Sequence, residues 1–291
     1  MKKINIKLKN TDIYLEFNGA DDLYENICRC FTLEPSAMED KTGPDGKEHI
    51  SIRITGVDGN YNCSSLTEEI IVDSERQVIA WILDTVGESI IMTIPPDEMI
   101  MHAAAVEKQG QVIIIAGDSG SGKTSFSLIL NRYGFRYIGD EYIHIIPGNG
   151  KAYGDNYPVH LKAGNPLLQT MEEEDLVETY NEETGRSGYA FSFDDMGGKS
   201  IEADVQTGRI SAIIFVKYVY DASETYINRM SIHNLPQAVL GTLIAHGSRT
   251  DVLKRFVKMI AEHEIPVMEL KYSEDEKSVR LICDLFTGKS M

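Results

Sequence analysis

Residues 117–124 read Gly-Asp-Ser-Gly-Ser-Gly-Lys-Thr and satisfy G-x-x-x-x-G-K-[ST] at every fixed position. Such a loop constrains what surrounds it. Its glycines let the backbone turn tightly and aim successive N–H groups at one point. A helix must follow, so that its positive end converges on the same point. A buried strand must lead in. Both flanks are legible: Val112–Ala116 is apolar without interruption, as a strand covered on both faces is, and Lys123–Tyr133 carries Phe126, Ile129 and Leu130 on one helical side, closed by Gly134 as a C-cap.

The ligand that needs this cradle is a nucleoside triphosphate with Mg²⁺, and ATP is expected. Lys123 is placed to reach the β and γ phosphates, and the Thr124 hydroxyl to ligate the metal. The candidate binding residues are Gly117, Asp118, Ser119, Gly120, Ser121, Gly122, Lys123, Thr124 and Ser125.

The remainder of the 291 residues divides at Pro95-Pro96-Asp97. Residues 1–94 read as a β-rich region ending in a helix. Ile4, Ile6 and Leu8 alternate with polar neighbours, as do Ile13, Leu15 and Phe17, and again Ile50, Ile52 and Ile54 after a Gly43-Pro44-Asp45-Gly46 turn. Val78, Ile79, Ile82 and Val86 fit a buried helical face. Residues 95–291 read as a dense α/β core. Strands are expected at Ile100–Val106, Phe135–Ile138, Tyr142–Ile146, Ile210–Tyr218 and Pro266–Leu270, and helices at Pro236–His246, Asp251–Glu262 and Val279–Leu285. The stretch 171–187 is polar and acidic and reads as a mobile loop, a lid or a dock for a basic peptide.

A formal net charge of −17 repels phosphate backbones and anionic lipid, so neither nucleic acid nor a membrane surface is an expected partner. The opening Met-Lys-Lys-Ile-Asn-Ile-Lys-Leu-Lys alternates instead of forming the continuous apolar stretch of a signal peptide, and a cytoplasmic chain is expected. Cys28, Cys30, Cys63 and Cys283 fit reduced structural thiols, since a one-residue gap suits neither a zinc knuckle nor a redox pair.

Phosphoryl transfer needs more than a cradle: a carboxylate for the metal, and a group to orient or deprotonate the acceptor. Asp140 and Glu141 follow the strand after the loop helix, on a strand expected beside the loop strand, with both carboxylates near the phosphates. His102, on the preceding apolar strand, reads from the residues alone as a core histidine. Lys199, flanked by Gly197 and Gly198, is the candidate second cation, with Arg209 and Arg186 behind it.

Three features resemble the kinase domain of HPr kinase/phosphorylase and its shorter relatives. They are His-Ala-Ala-Ala-Val at 102–106, fifteen positions ahead of Gly117; the Gly-Asp-Ser-Gly opening of the loop; and Gly-Asp140-Glu141, whose pair begins seventeen positions after Lys123. The resemblance covers 102–141 in its motifs and about 95–285 more loosely. It implies a phosphoenolpyruvate-carboxykinase-like P-loop kinase core in an α/β chain, ATP and Mg²⁺ as cofactors, and transfer to a serine of a peptide or protein. By the same resemblance Asp140 accepts the hydroxyl proton, Glu141 assists metal or substrate, and His102 supports the catalytic carboxylate. Thr124, Asp140 and Glu141 are the candidate metal ligands. Two departures matter. The family's pair is usually Asp-Asp, and the Glu/Leu/Ile/Arg/Gly-rich signature of the bifunctional enzymes is missing from 153–165. HPr as substrate and phosphorylase activity are therefore not expected. The chain looks more like stand-alone relatives that phosphorylate precursor peptides, including those of lasso peptides. The bifunctional members form hexamers, which leaves a homo-oligomer open.

Two other readings stand beside this one. A small-metabolite kinase of the shikimate-kinase type also places an aspartate after the loop helix, but begins near its loop and carries an Arg-rich lid. A non-catalytic nucleotide-binding regulatory module would use residues 1–94 as its effector part.

Overall fold

The computed structural model describes residues 1–31, 48–65, 67–182, 184–192, 208–220, 225–231, 233–273 and 275–287. Lys199 and the 43–46 turn lie outside them.

The N-terminal strands form as their alternation requires. β1 (Lys2–Lys7) pairs antiparallel with β2 (Thr11–Asn18), Ile4 opposite Leu15 and Ile6 opposite Ile13. β3 (Glu48–Val57) runs parallel to β2 and sets Ile52 and Ile54 beside Leu15 and Phe17, and β4 (Asn60–Ser64) and β5 (Glu69–Val72) complete a five-stranded sheet in sequential order. α1 (Asp21–Cys30) buries Leu23, Ile27 and Cys30, a helical stripe within a stretch read only as β-rich. α2 (Glu75–Met92) buries Val78, Ile79, Ile82 and Val86 as expected, and also Trp81, Leu83 and Ile90, so apolar packing covers more than one of its faces.

After Ile94 the chain enters a second unit. Ile100–Val106 is not one strand: β6 (Met99–Met101) and β7 (Ala104–Lys108) are separated by His102 and Ala103. β7 turns into β8 (Gln111–Ala116) through Gln109 and Gly110, both at positive φ, which matches the twist of a two-residue hairpin. Then follow the 117–122 loop, α3 (Lys123–Arg132), β9 (Arg136–Gly139), β10 (Ile143–Ile146) and β11 (Lys151–Gly154).

The chain next returns to the first unit. β12 (Val159–Lys162), β13 (Val177–Asn181) and β14 (Arg186–Phe191) form a three-stranded sheet, so the described residues of 171–187 are mostly strand and one short 3₁₀ turn instead of a loop. Its acidic and amide groups meet α2: Arg76 to Glu178 at 3.3 Å, Gln77 to Glu182 at 3.0 Å, and Asn181 to Asp84 at 3.1 Å. Two compact units result, one from the described residues of 1–94 and 155–192, the other from those of 95–154 and 208–287. The first boundary falls at Pro95; the expected continuous 95–291 core is interrupted by a segment that joins the N-terminal region.

The second unit is completed by β15 (Gly208–Tyr218), β16 (Tyr226–Arg229), α4 (Leu235–Val239), β17 (Leu243–Ile244), α5 (Arg249–Glu262), β18 (Val267–Tyr272) and α6 (Asp275–Thr287). The helix expected over 236–246 stops at Val239, and β17 takes over as an edge strand on β6. In the ten-stranded sheet β8 runs parallel to β15 and β15 parallel to β18, while β7 and then β9 add antiparallel on the other side of β8. β8 is buried on both faces. Ile113 and Ile115 meet Phe126, Ile129 and Leu130 of α3, whereas Val112, Ile114 and Ala116 share a core with Phe256 and Met259 of α5. No described helix is long and apolar enough to cross a membrane.

Candidate active site

The Gly117–Gly122 loop sits between β8 and α3, the strand–loop–helix order its sequence demands. Two glycines combine a positive φ with close neighbours. At Gly117 (φ +144) a Cβ would lie 2.6 Å from Ser121 Oγ and 2.7 Å from the Val216 carbonyl; at Gly122 (φ +96) it would lie 2.5 Å from Tyr272 Oη. Lys123 is buried, and its ammonium folds back to donate to the carbonyls of Gly117 (3.1 Å) and Asp118 (3.3 Å), so the cation is stored on the loop it follows. Ser121 Oγ is buried without a hydrogen-bond partner among the described residues.

Asp140 and Glu141 form the turn between β9 and β10. β9 lies one strand further from the loop strand than expected, because the β7–β8 hairpin places β7 between them. The turn still brings the carboxylates to the loop. Glu141 takes φ +64, a left-handed conformation that is costly for a residue with a side chain. Its N–H donates to Asp140 Oδ1 at 3.0 Å, and the Tyr142 N–H donates to the Asp140 carbonyl at 2.7 Å.

Asp140 is 2% exposed, and its Oδ2 has no hydrogen-bond partner among the described residues. Burial, then the charge of Glu141, raise its carboxyl to about 7, against the opposing pull of the Thr124 hydroxyl, the Glu141 N–H and the Lys123 ammonium. Asp140, Glu141, Thr124 and Lys123 thus form one electrostatic group. Burial and the two carboxylates also push the Tyr137 phenol well above its ordinary range.

His102 is not a core residue on a strand. It occupies the break between β6 and β7, has a side chain 42% exposed, and sets Nδ1 2.9 Å from Glu141 Oε2. Its backbone N–H donates to the Thr242 carbonyl at 2.7 Å, so the edge strand β17 helps hold the break. Arg209 does not join the group. It pairs with Gln111 at the opposite end of β8, roughly 17 Å of strand from the loop. Arg186 stands exposed on β14 in the first unit.

The residues fit a bound divalent cation. An orphaned, buried carboxylate oxygen, a second carboxylate and a hydroxyl form a hard-oxygen set, suited to Mg²⁺ shared with phosphate. No group of three or more His, Cys, Asp or Glu that could hold a metal ion occurs among the described residues. The four cysteines are free thiols.

Two features here lie outside what the sequence predicts. One is a buried network in which Tyr153 Oη donates to Glu98 Oε2, with His144 Nδ1 3.2 Å from that oxygen and the His144 and Tyr153 rings stacked at 4.5 Å. The other is the tyrosine pair Tyr218 and Tyr272 against the loop, whose only sequence signal is its place at the ends of two apolar strands.

No protein-family profile and no curated protein matches this chain. Among solved structures, the Hpr(Ser) kinase/phosphatase from Coxiella burnetii is similar over 65% of this chain and 95% of its own, at 13% identity and a TM-score of 0.29. A likeness of that degree is too slight to define the fold, which rests on the strands and helices described above.

Proposed function

We propose that this chain is an ATP-dependent kinase that transfers the γ-phosphoryl group to a serine hydroxyl of a peptide or protein, in the manner of stand-alone HPr kinase-like enzymes. The observation that carries the reading is the buried Asp140 carboxylate set against Thr124 and Lys123 where the loop enters its helix.

In this reading the loop N–H groups and the first turn of α3 hold the phosphates, and Lys123 swings from its carbonyl partners to the β and γ oxygens. Thr124 and Asp140, with Glu141, would hold Mg²⁺, which supplies charge neutralisation on the phosphate oxygens. Asp140 takes the proton from the serine hydroxyl. The freed oxygen bonds to the γ phosphorus, the bond from that phosphorus to the β–γ bridging oxygen breaks, and ADP leaves with the electron pair. His102, through Glu141, steadies the turn that presents Asp140. A ribosomally made precursor peptide ending in serine is the acceptor that the sequence resemblance favours.

The test is incubation with ATP, Mg²⁺ and a serine-ended peptide, followed by mass spectrometry. Transfer to serine is expected, and Asp140→Asn should abolish it while ATP binding stays within about threefold. Normal transfer by that variant sinks the assignment of Asp140. ATP binding with no turnover on any hydroxyl favours a regulatory module, and transfer to a small metabolite alone favours the metabolite-kinase reading.

A further inference from the structure

We propose that Tyr218 is the stacking wall for the base of the bound nucleotide, an inference that rests on the nucleotide reading above. β15 and β8 are parallel and in register, with Phe215 opposite Ala116, so they end side by side. Ligands of open α/β sheets settle at the carboxyl ends of such strands. Three residues past Phe215, the Tyr218 N–H donates to the Ser121 carbonyl at 3.0 Å, which fixes the tyrosine to the loop itself. Its Cβ lies 3.4 Å from where Gly122 would carry a side chain.

The ring is supported from behind. Tyr218 and Tyr272 have centroids 5.3 Å apart at 65°, and Tyr272 and Phe126 of α3 lie 4.9 Å apart at 41°. Tyr272 is 1% exposed and donates its hydroxyl to the Gly122 carbonyl at 3.3 Å. Tyr218, at 45%, is the exposed end of an aromatic ladder rooted in the loop helix. A rigid aromatic surface of this kind is a platform for a planar ring.

Tyr218 is bonded to the loop at Ser121, at the end of β15 beside β8, so the nucleoside of a nucleotide held by the loop has this ring within reach. Because every base offers a π face, little discrimination between adenine and guanine is expected.

The test compares ATP and inorganic tripolyphosphate, each with Mg²⁺, by calorimetry on the full chain. Tyr218→Ala should weaken ATP by ~5- to 150-fold, the range for one base–aromatic stack, and leave tripolyphosphate unchanged. Tyr218→Phe, which keeps the ring, should retain ATP within about threefold. Equal loss of both ligands in the alanine variant overturns the proposal, because the tyrosine would then only shape the loop. Wild-type protein that binds tripolyphosphate as tightly as ATP also overturns it while leaving the phosphate cradle standing. Wild type that binds neither overturns the nucleotide reading itself.

Discussion

Nδ1 of His102 and Oε2 of Glu141 stand 2.9 Å apart, and this contact joins the break between β6 and β7 to the turn after β9. Glu141 holds a left-handed backbone at φ +64 while making it. A non-glycine residue in that conformation costs of order 1 kcal/mol, and such strain persists where the surroundings fix it. Glu141→Gly should therefore raise thermal stability by up to about 1 kcal/mol while lowering phosphoryl transfer ~10- to 100-fold. His102→Ala should lower transfer similarly without the stability gain. A glycine variant as active as wild type would show that the contact is structural only; melting curves and turnover measured on the same preparations decide it.

Asp140 gives the fold a pH signature in the absence of nucleotide and metal. Its folded-state pKa, about 7, lies above the ordinary value of 3.8, so the folded chain holds this proton more tightly than the unfolded one. Between about pH 4 and pH 7 unfolding releases the proton, and stability falls as pH rises through that window. Above 7 the cost is complete. Asp140→Asn should remove it and stabilise the protein at pH 8 by roughly 2–4 kcal/mol, with little effect at pH 4. Chemical denaturation at the two pH values reads this difference; equal gains at both would mean that the carboxyl is not held protonated.

Gly122 carries two separable constraints, its φ of +96 and the approach of Tyr272 Oη to within 2.5 Å of a would-be Cβ. Gly122→Ala should destabilise by about 1–3 kcal/mol and weaken ATP binding. Adding Tyr272→Phe removes the clash but not the backbone strain, so the double variant should recover only part of the loss. Complete recovery would assign the whole effect to the hydroxyl.

The loop and its flanks were legible because they are local: an apolar run, glycines, a helical stripe and a C-cap occupy twenty-odd consecutive residues. Lys123, Thr124, Asp140 and Glu141 come together as the spacing implied. What was not legible depends on pairing at a distance. Nothing near Phe135–Ile138 signals that β7 lies between β9 and β8, since the hairpin at Gln109–Gly110 sets that order. The apolar run 100–106 hides the break at His102, which is held by a Thr242 carbonyl far along the chain. The acidic 171–187 segment has loop composition, yet its Glu178 and Glu182 find Arg76 and Gln77 on α2. Leu23, Ile27 and Cys30 did carry a readable helical spacing behind Asp21 and Asp22, and α1 was findable from it.

The Tyr153 hydroxyl is the last feature with a measurable consequence. Tyr153, His144 and Glu98 are buried together, on the strands β11 and β10 and just before β6. Tyr153 Oη donates to Glu98 Oε2 and lies 3.0 Å from His144 Nδ1, so one hydroxyl serves a carboxylate and an imidazole that water does not reach. Removing the hydroxyl takes one buried donor from Glu98 Oε2, which keeps His144 Nδ1 at 3.2 Å, and a lost buried hydrogen bond to a carboxylate is worth about 1–3 kcal/mol. Tyr153→Phe should lower the denaturation midpoint by that amount with the slope unchanged, because packing area is conserved. Asp140 lies four residues before His144 and His102 four after Glu98, so the same variant should reduce transfer severalfold. Under the proposed function β8 and α3 would carry ATP affinity, which should stay within about threefold. A variant as stable as wild type would mean that the hydroxyl adds nothing, and one that loses ATP binding would mean that the network supports the loop and not the acidic turn.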